Sequence, residues 1–133
     1  MPTGHVVDAS VLVAALVDSG PEGRWAEEVV AVDYVAAPEL VIVETLNVLR
    51  RLERSEELPV LEAASAQRDL QRLEIDLLPV RPFEDRIWRL RHNLTCYDAW
   101  YVSVAEALEL PLATLDRRLV LATGPTCSFV TPP

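Results

Sequence analysis

Short apolar runs of β type alternate with longer segments of helical period along this whole chain, and that alternation limits the fold more than any other feature. His5-Val6-Val7-Asp8 reads as a buried first strand, with Ser10 to Asp18 a short helix after it. Pro21 is placed to open the next helix, through Trp25 to Val32, and Tyr34 to Ala37 reads as a second strand. Strands separated by helices imply an α/β domain with a mainly parallel sheet, because parallel neighbours need a crossover between them.

The alternation continues. Pro38 is expected to open a helix through Leu40, Val43, Leu46 and Leu49, an apolar set at helical spacing that ends at Arg50-Arg51. Glu56 to Leu73 reads as an amphipathic helix with Leu61, Leu70 and Leu73 inward and Arg68 and Arg72 outward. Ile75 to Pro79 fits a strand, and Phe83 to Arg91 a helix packing Ile87, Leu90 and Trp88. Thr95 should cap a helix from Cys96 to Leu108. Leu112-Ala113-Thr114 and Ser128-Phe129-Val130 read as strands, with a short helix at Arg117 to Ala122. The 133 residues fit a single domain with one core.

No apolar run reaches the roughly 18 residues of a membrane span; Val6 to Val17 is broken by Asp8 and Ser10. Met1-Pro2-Thr3-Gly4-His5 lacks the basic stretch of a leader and runs straight into a strand-like segment, so a cytoplasmic protein is expected. Cys96 and Cys127 have no metal-binding spacing and read as half-buried reduced thiols. The formal charge is -9, and all 12 basic residues are arginine. Without lysine, P-loop and other lysine-dependent chemistry is excluded. An acidic chain also approaches a phosphate backbone against a long-range penalty, which bound divalent ions would partly offset.

Four acids stand out. Asp8 ends the first strand, Asp116 follows the strand at Leu112, and Asp98 lies in the first turn of a helix three residues after Thr95. Each has an ordinary alternative: Asp8 and Asp116 as helix N-caps, and Thr95 to Asp98 as a variant capping box. Glu44 resists that account, because it lies on the second turn of its helix among Val41, Ile42, Val43, Leu46 and Val48. Ligands of an open parallel sheet bind beyond the carboxyl ends of its strands, the edge to which Asp8, Asp98 and Asp116 belong. Converging carboxylates repel one another unless cations neutralise them, and hard oxygen ligands favour Mg²⁺ or Mn²⁺. The chemistry that follows is metal-assisted attack of water on a phosphodiester. Ser10 and Thr114, each two residues from an acid, either orient a carboxylate or touch phosphate, or make only local bonds to the backbone.

These segments resemble the four motifs of PIN domains, in order. Val6-Val7-Asp8-Ala9-Ser10-Val11-Leu12 is similar to the first, and Pro38-Glu39-Leu40 through Glu44 to Arg50-Arg51 to the second. Leu94-Thr95-Cys96-Tyr97-Asp98-Ala99, followed by Tyr101-Val102 and Ala105-Glu106, is similar to the third; Leu110 to Leu119 is similar to the fourth. Within PIN domains the likeness is to bacterial VapC toxins. It implies a three-layer α/β/α fold with a central, mainly parallel sheet of four to five strands. It implies Mg²⁺ or Mn²⁺ held by Asp8, Glu44, Asp98 and Asp116, with Ser10 and Thr114 matching small hydroxyl residues near the metals. It further implies an endoribonuclease cutting single-stranded regions of transfer or ribosomal RNA, a homodimer, and a VapB antitoxin that blocks the site. Some relatives carry a further acid where this chain has Arg117 and Arg118, which counts against a full second metal site.

Two other functions stay open at this stage. One is a non-catalytic interaction module that keeps the fold. The other is a phosphatase or phosphotransfer domain using Asp8, although Ser10 stands where a haloacid-type phosphatase places a second Asp. His5 and His92 read as structural. Trp25, Trp88 and Trp100 read as core or dimer packing ahead of base stacking. Arg50, Arg51 and Arg54, with Arg86, Arg89 and Arg91, serve either RNA contact or ion pairing with nearby glutamates.

Overall fold

The first strand, β1 (Gly4–Val7), takes the middle of the sheet because it is apolar enough to be covered on both faces: Val6 and Val7 are fully buried. The structure is a computed structural model describing residues 3–133; Met1 and Pro2, read above as lacking a leader's charge, lie outside the described residues. After β1 come α1 (Ala9–Val17), α2 (Pro21–Val30), β2 (Tyr34–Pro38), α3 (Leu40–Arg54) and α4 (Val60–Arg72). The chain then forms β3 (Asp76–Leu78), a 3-10 turn (Arg81–Phe83), α5 (Glu84–Leu90) and α6 (Cys96–Leu108). It ends with β4 (Leu112–Ala113), α7 (Arg117–Val120) and β5 (Phe129–Val130).

The five strands run in the order β3-β2-β1-β4-β5, every pair parallel. Val6 aligns with Ala36 on one side and with Leu112 on the other, so β1 sits where the strand order reverses direction. That reversal is where an open parallel sheet leaves a crevice at its carboxyl edge. α1 gathers α2, α3 and α4 around itself, while α6 lies along β1, β2 and β4 with α5 packed on it. Among the described residues no helix is long and apolar enough to cross a membrane.

Local signals account for several boundaries. Asp8 caps α1 by accepting the Val11 amide, Pro21 occupies the first turn of α2, and Thr95 caps α6 by accepting the Asp98 amide. Gly23 is required by close approach: a Cβ there would stand 1.7 Å from the Asp18 carbonyl oxygen. His5 is structural, with Nδ1 3.3 Å from the Val29 carbonyl oxygen.

Five sequence expectations are corrected, one of them at Cys96, which is exposed where a half-buried thiol is expected. Pro38 closes β2 opposite Leu78 and does not open α3; the Glu39 amide donates to the Leu78 carbonyl at 3.0 Å, supplying the bond proline cannot make. The helix expected from Glu56 begins at Val60, because α3 runs on to Arg54 and residues 55–58 form its exit turn. Glu56 takes φ 62 there, and the Glu57 and Leu58 amides both donate to the Leu52 carbonyl. Leu61, expected inward, is 84% exposed: Ala63, Ala66 and Leu70 form the buried face, and a residue two positions from Ala63 lies roughly 200° around the helix. Trp88 is 62% exposed, because Ile87 and Leu90 take the inward side of α5; the Arg91 guanidinium lies 4.1 Å from its ring centre. Trp25 and Trp100 do pack against the core. Cys96 is exposed and Cys127 half-buried, both free thiols.

Candidate functional site

The carboxyl ends of β1 and β4 lie side by side, and the residues just beyond them are tied together through two hydroxyls. Asp8 follows β1, and its carboxylate accepts from the Ser10 hydroxyl at 2.5 Å, from the Val11 amide at 3.3 Å and from the Thr114 hydroxyl. Ser10 in turn accepts the Leu115 amide at 3.0 Å, and Thr114 accepts the Asp116 amide at 2.9 Å. Each hydroxyl thus donates to Asp8 and receives from the loop after β4, which locks the two strand ends in one arrangement. Thr114 is fully buried, which limits the access of water to its side of this cluster.

Burial raises the pKa of Asp8 above the ordinary carboxylate value of 3.8, although hydrogen bonds from Ser10, Thr114 and Val11 pull the other way. Asp98 stands on the first turn of α6. Its pKa is also raised, first by burial and then by the charge of Asp116, against smaller opposing effects of Thr95 and Arg118. Asp116 caps α7, accepting the amides of Arg118 and Leu119, and the Arg118 guanidinium lies 3.9 Å from it. That guanidinium is almost fully exposed and neutralises little. Asp98 and Asp116 share a depression of about 290 Å³ with Asn93, Thr95 and Arg118.

Glu44 reaches the same region from the second turn of α3, where its carboxylate accepts the hydroxyl of Tyr101. The Tyr101 ring is buried in α6, three residues after Asp98. Its hydroxyl is held far above the ordinary tyrosine range by burial, by the bond to Glu44, and by the charges of Glu44, Asp8 and Asp98. One phenol thus feels three of the four acids, and Asp98 feels the fourth. Asp98 and Asp116 thus line one depression, Ser10 and Thr114 stand beside Asp8, and Glu44 is joined through Tyr101 to the helix that carries Asp98. Tyr101 is the residue that sequence reasoning missed; its place three positions from Asp98 on one helix was the available signal.

Among the described residues no three acid, histidine or cysteine side chains are gathered tightly enough to hold a metal ion as they stand. What fits a hard divalent cation is the chemistry of the donors. They are carboxylates throughout, two of them with their negative charge penalised by burial, and the cation beside them points into solvent.

Away from this edge, Arg86 on α5 forms two bonds to Glu106 on α6, at 2.7 and 3.0 Å, and donates to the Gly124 carbonyl. Glu106 also accepts the amide and hydroxyl of Thr126. The pair holds the segment before β5 against the two helices. Arg86 is thereby explained as a structural ion pair.

The PIN domain family model matches residues 5–123. The chain is 40% identical to ribonuclease VapC9 of Mycobacterium tuberculosis over 114 residues, 86% of this chain and 87% of that one. It is 37% identical to ribonuclease VapC1 of the same organism over 125 residues, 93% and 94% of the two chains. Its fold is also that of a chain in a toxin-antitoxin complex from Klebsiella pneumoniae, with TM-score 0.68, 16% identity and 98% of each chain covered. A five-stranded parallel sheet with acids at its carboxyl edge, together with these likenesses over nearly the whole length, makes this chain a member of the PIN-domain family, among the VapC ribonucleases.

Proposed function

We propose that this chain is a metal-dependent endoribonuclease and the toxin of a VapBC-type pair, with Asp8, Glu44, Asp98 and Asp116 as its metal-binding and catalytic residues. The observation that carries the reading is the state of Asp8: a carboxylate whose charge is opposed by burial, yet whose two oxygens are held by Ser10, Val11 and Thr114. A group fixed at that energetic penalty is prepared for a cation, and Asp98, its pKa raised by burial and by the charge of Asp116, shares the penalty.

A divalent ion held by Asp8, Glu44, Asp98 and Asp116 would supply Lewis-acid activation of water and would offset the charge that develops on the scissile phosphate. The chain's own groups do the rest. Ser10 and Thr114 hold Asp8 in one orientation. Asp98 projects from the first turn of α6, and Asp116 from the start of α7. The same neutralisation lessens the repulsion between RNA and an acidic chain. Mg²⁺ and Mn²⁺ both suit the donors, and the substrates expected are single-stranded regions of transfer or ribosomal RNA in the cytoplasm. A VapB antitoxin covering the site, and a homodimer, complete the reading; both rest on membership of the VapC ribonucleases.

Asp8 is a poor candidate for a covalent phosphate acceptor, since Ser10 stands where a haloacid-type phosphatase places a second Asp and the chain has no lysine. The test is incubation of total cellular RNA with purified protein and Mn²⁺ or Mg²⁺, alongside EDTA and Asp8→Asn controls. Discrete fragments absent from both controls are expected. Equal cleavage by Asp8→Asn would overturn the assignment, and metal binding without cleavage of any RNA would point to an interaction module.

A further inference from the structure

Glu44 differs from the other acids in how it is held. Asp8 is anchored by groups from its own loop and from Thr114, and Asp116 by the amides of α7. Glu44 projects from the second turn of α3, past the amides that a helix start leaves free. Ordering so long a side chain costs rotamer entropy that a fixed partner must offset. The group that receives it is the Tyr101 hydroxyl, 57 residues away in sequence.

Tyr101 is suited to that task. Its ring is 2% exposed, packed in the core, so its hydroxyl cannot follow a wandering carboxylate. It lies one turn beyond Asp98, so the helix that delivers one acid also fixes the donor for another. A phenylalanine would fill the same space, and only the bond to Glu44 gives the buried hydroxyl a purpose there.

We infer that Tyr101 is a positioning residue: by donating to Glu44 it orients that carboxylate toward the crevice shared with Asp8 and Asp98, and so sets the affinity of the centre for a divalent ion. The inference rests on the metal-binding reading of these acids. Groups that orient a ligand from behind are typically worth about 10–100-fold in metal affinity.

The test is calorimetric titration of the full chain with Mn²⁺, comparing wild type, Tyr101→Phe, Glu44→Gln and the double variant. Tyr101→Phe retains the ring, so its melting temperature without metal should stay close to that of wild type. Its Kd for Mn²⁺ should rise about 10–100-fold. The double variant should bind no more weakly than Glu44→Gln, because Tyr101 acts through Glu44 alone. Wild-type affinity in Tyr101→Phe, or additive losses in the double variant, would overturn the inference and leave the metal centre standing. Failure of the wild type to bind Mn²⁺ would remove the metal-centre reading itself, and the inference with it.

Discussion

The Thr114 hydroxyl donates to the Asp8 carboxylate across 106 residues of sequence, and this bond joins the ends of β1 and β4 at the candidate site. Thr114 is fully buried and also accepts the Asp116 amide. Thr114→Val keeps the shape but removes both bonds, leaving a buried amide without its acceptor. The expected loss is about 1–3 kcal/mol of stability, read by urea unfolding, with a fall in cleavage rate of about 10–100-fold. Thr114→Ser restores the hydroxyl and should recover most of both; recovery by neither measure would mean that the methyl group, not the hydroxyl, matters.

Asp8→Asn should separate stability from activity. The folded pKa of Asp8 is raised, so its ionisation opposes folding. Its contribution is fully favourable below the ordinary value of 3.8 and is lost as pH rises through the raised folded value. At pH 7 without metal, the Asn variant should therefore melt higher than wild type, and the gap should close on acidification. Added Mn²⁺ should stabilise wild type by about 2.7 kcal/mol at 100 times Kd and leave Asp8→Asn nearly unmoved. Equal metal-induced shifts in the two proteins, by scanning calorimetry, would contradict the assignment.

Glu106 has the opposite sign. Burial alone would raise its pKa, but the bonds from Arg86 and Thr126 prevail and hold it below the ordinary value of 4.5. Its stabilisation is present above that value and is lost as pH falls through the lower folded pKa. Glu106→Gln should cost on the order of 2 kcal/mol at pH 7, and progressively less below pH 4.5. A pH-independent difference would show that packing, not charge, holds the segment before β5.

Gly23→Ala tests the junction of α1 and α2. The added methyl would meet the Asp18 carbonyl at 1.7 Å, so backbone must move. Destabilisation of about 1–3 kcal/mol is expected, with the metal affinity of folded protein unchanged.

Legibility in the sequence followed the range of the signal. Thr95 and the bounds of α6 could be read because a cap and its helix lie within a few residues of each other. The strand alternation gave the parallel sheet, and Asp8, Asp98 and Asp116 were visible as acids at strand or helix boundaries. Pro38 was misplaced because proline opens helices and also closes strands, and only its pairing with Leu78 decides between them. Leu61 and Trp88 were misassigned because helical period fixes the spacing of a buried face but not which residue begins it. Tyr101 stayed hidden for a different reason: its bond joins two helices, and nothing near it in sequence announces Glu44.

The position of β4 beside β1 has a consequence for a chain still being synthesised. The ribosome delivers Asp8 a full 106 residues before its partner Thr114, and Thr114 and the acid Asp116 come only after β4 has been made. Until β4 slots in next to β1, the nascent polypeptide has no completed candidate site. A chain stopped before Leu112 would lack both the Asp8–Thr114 bond and Asp116, so any activity that needs them would begin only when β4 pairs with β1.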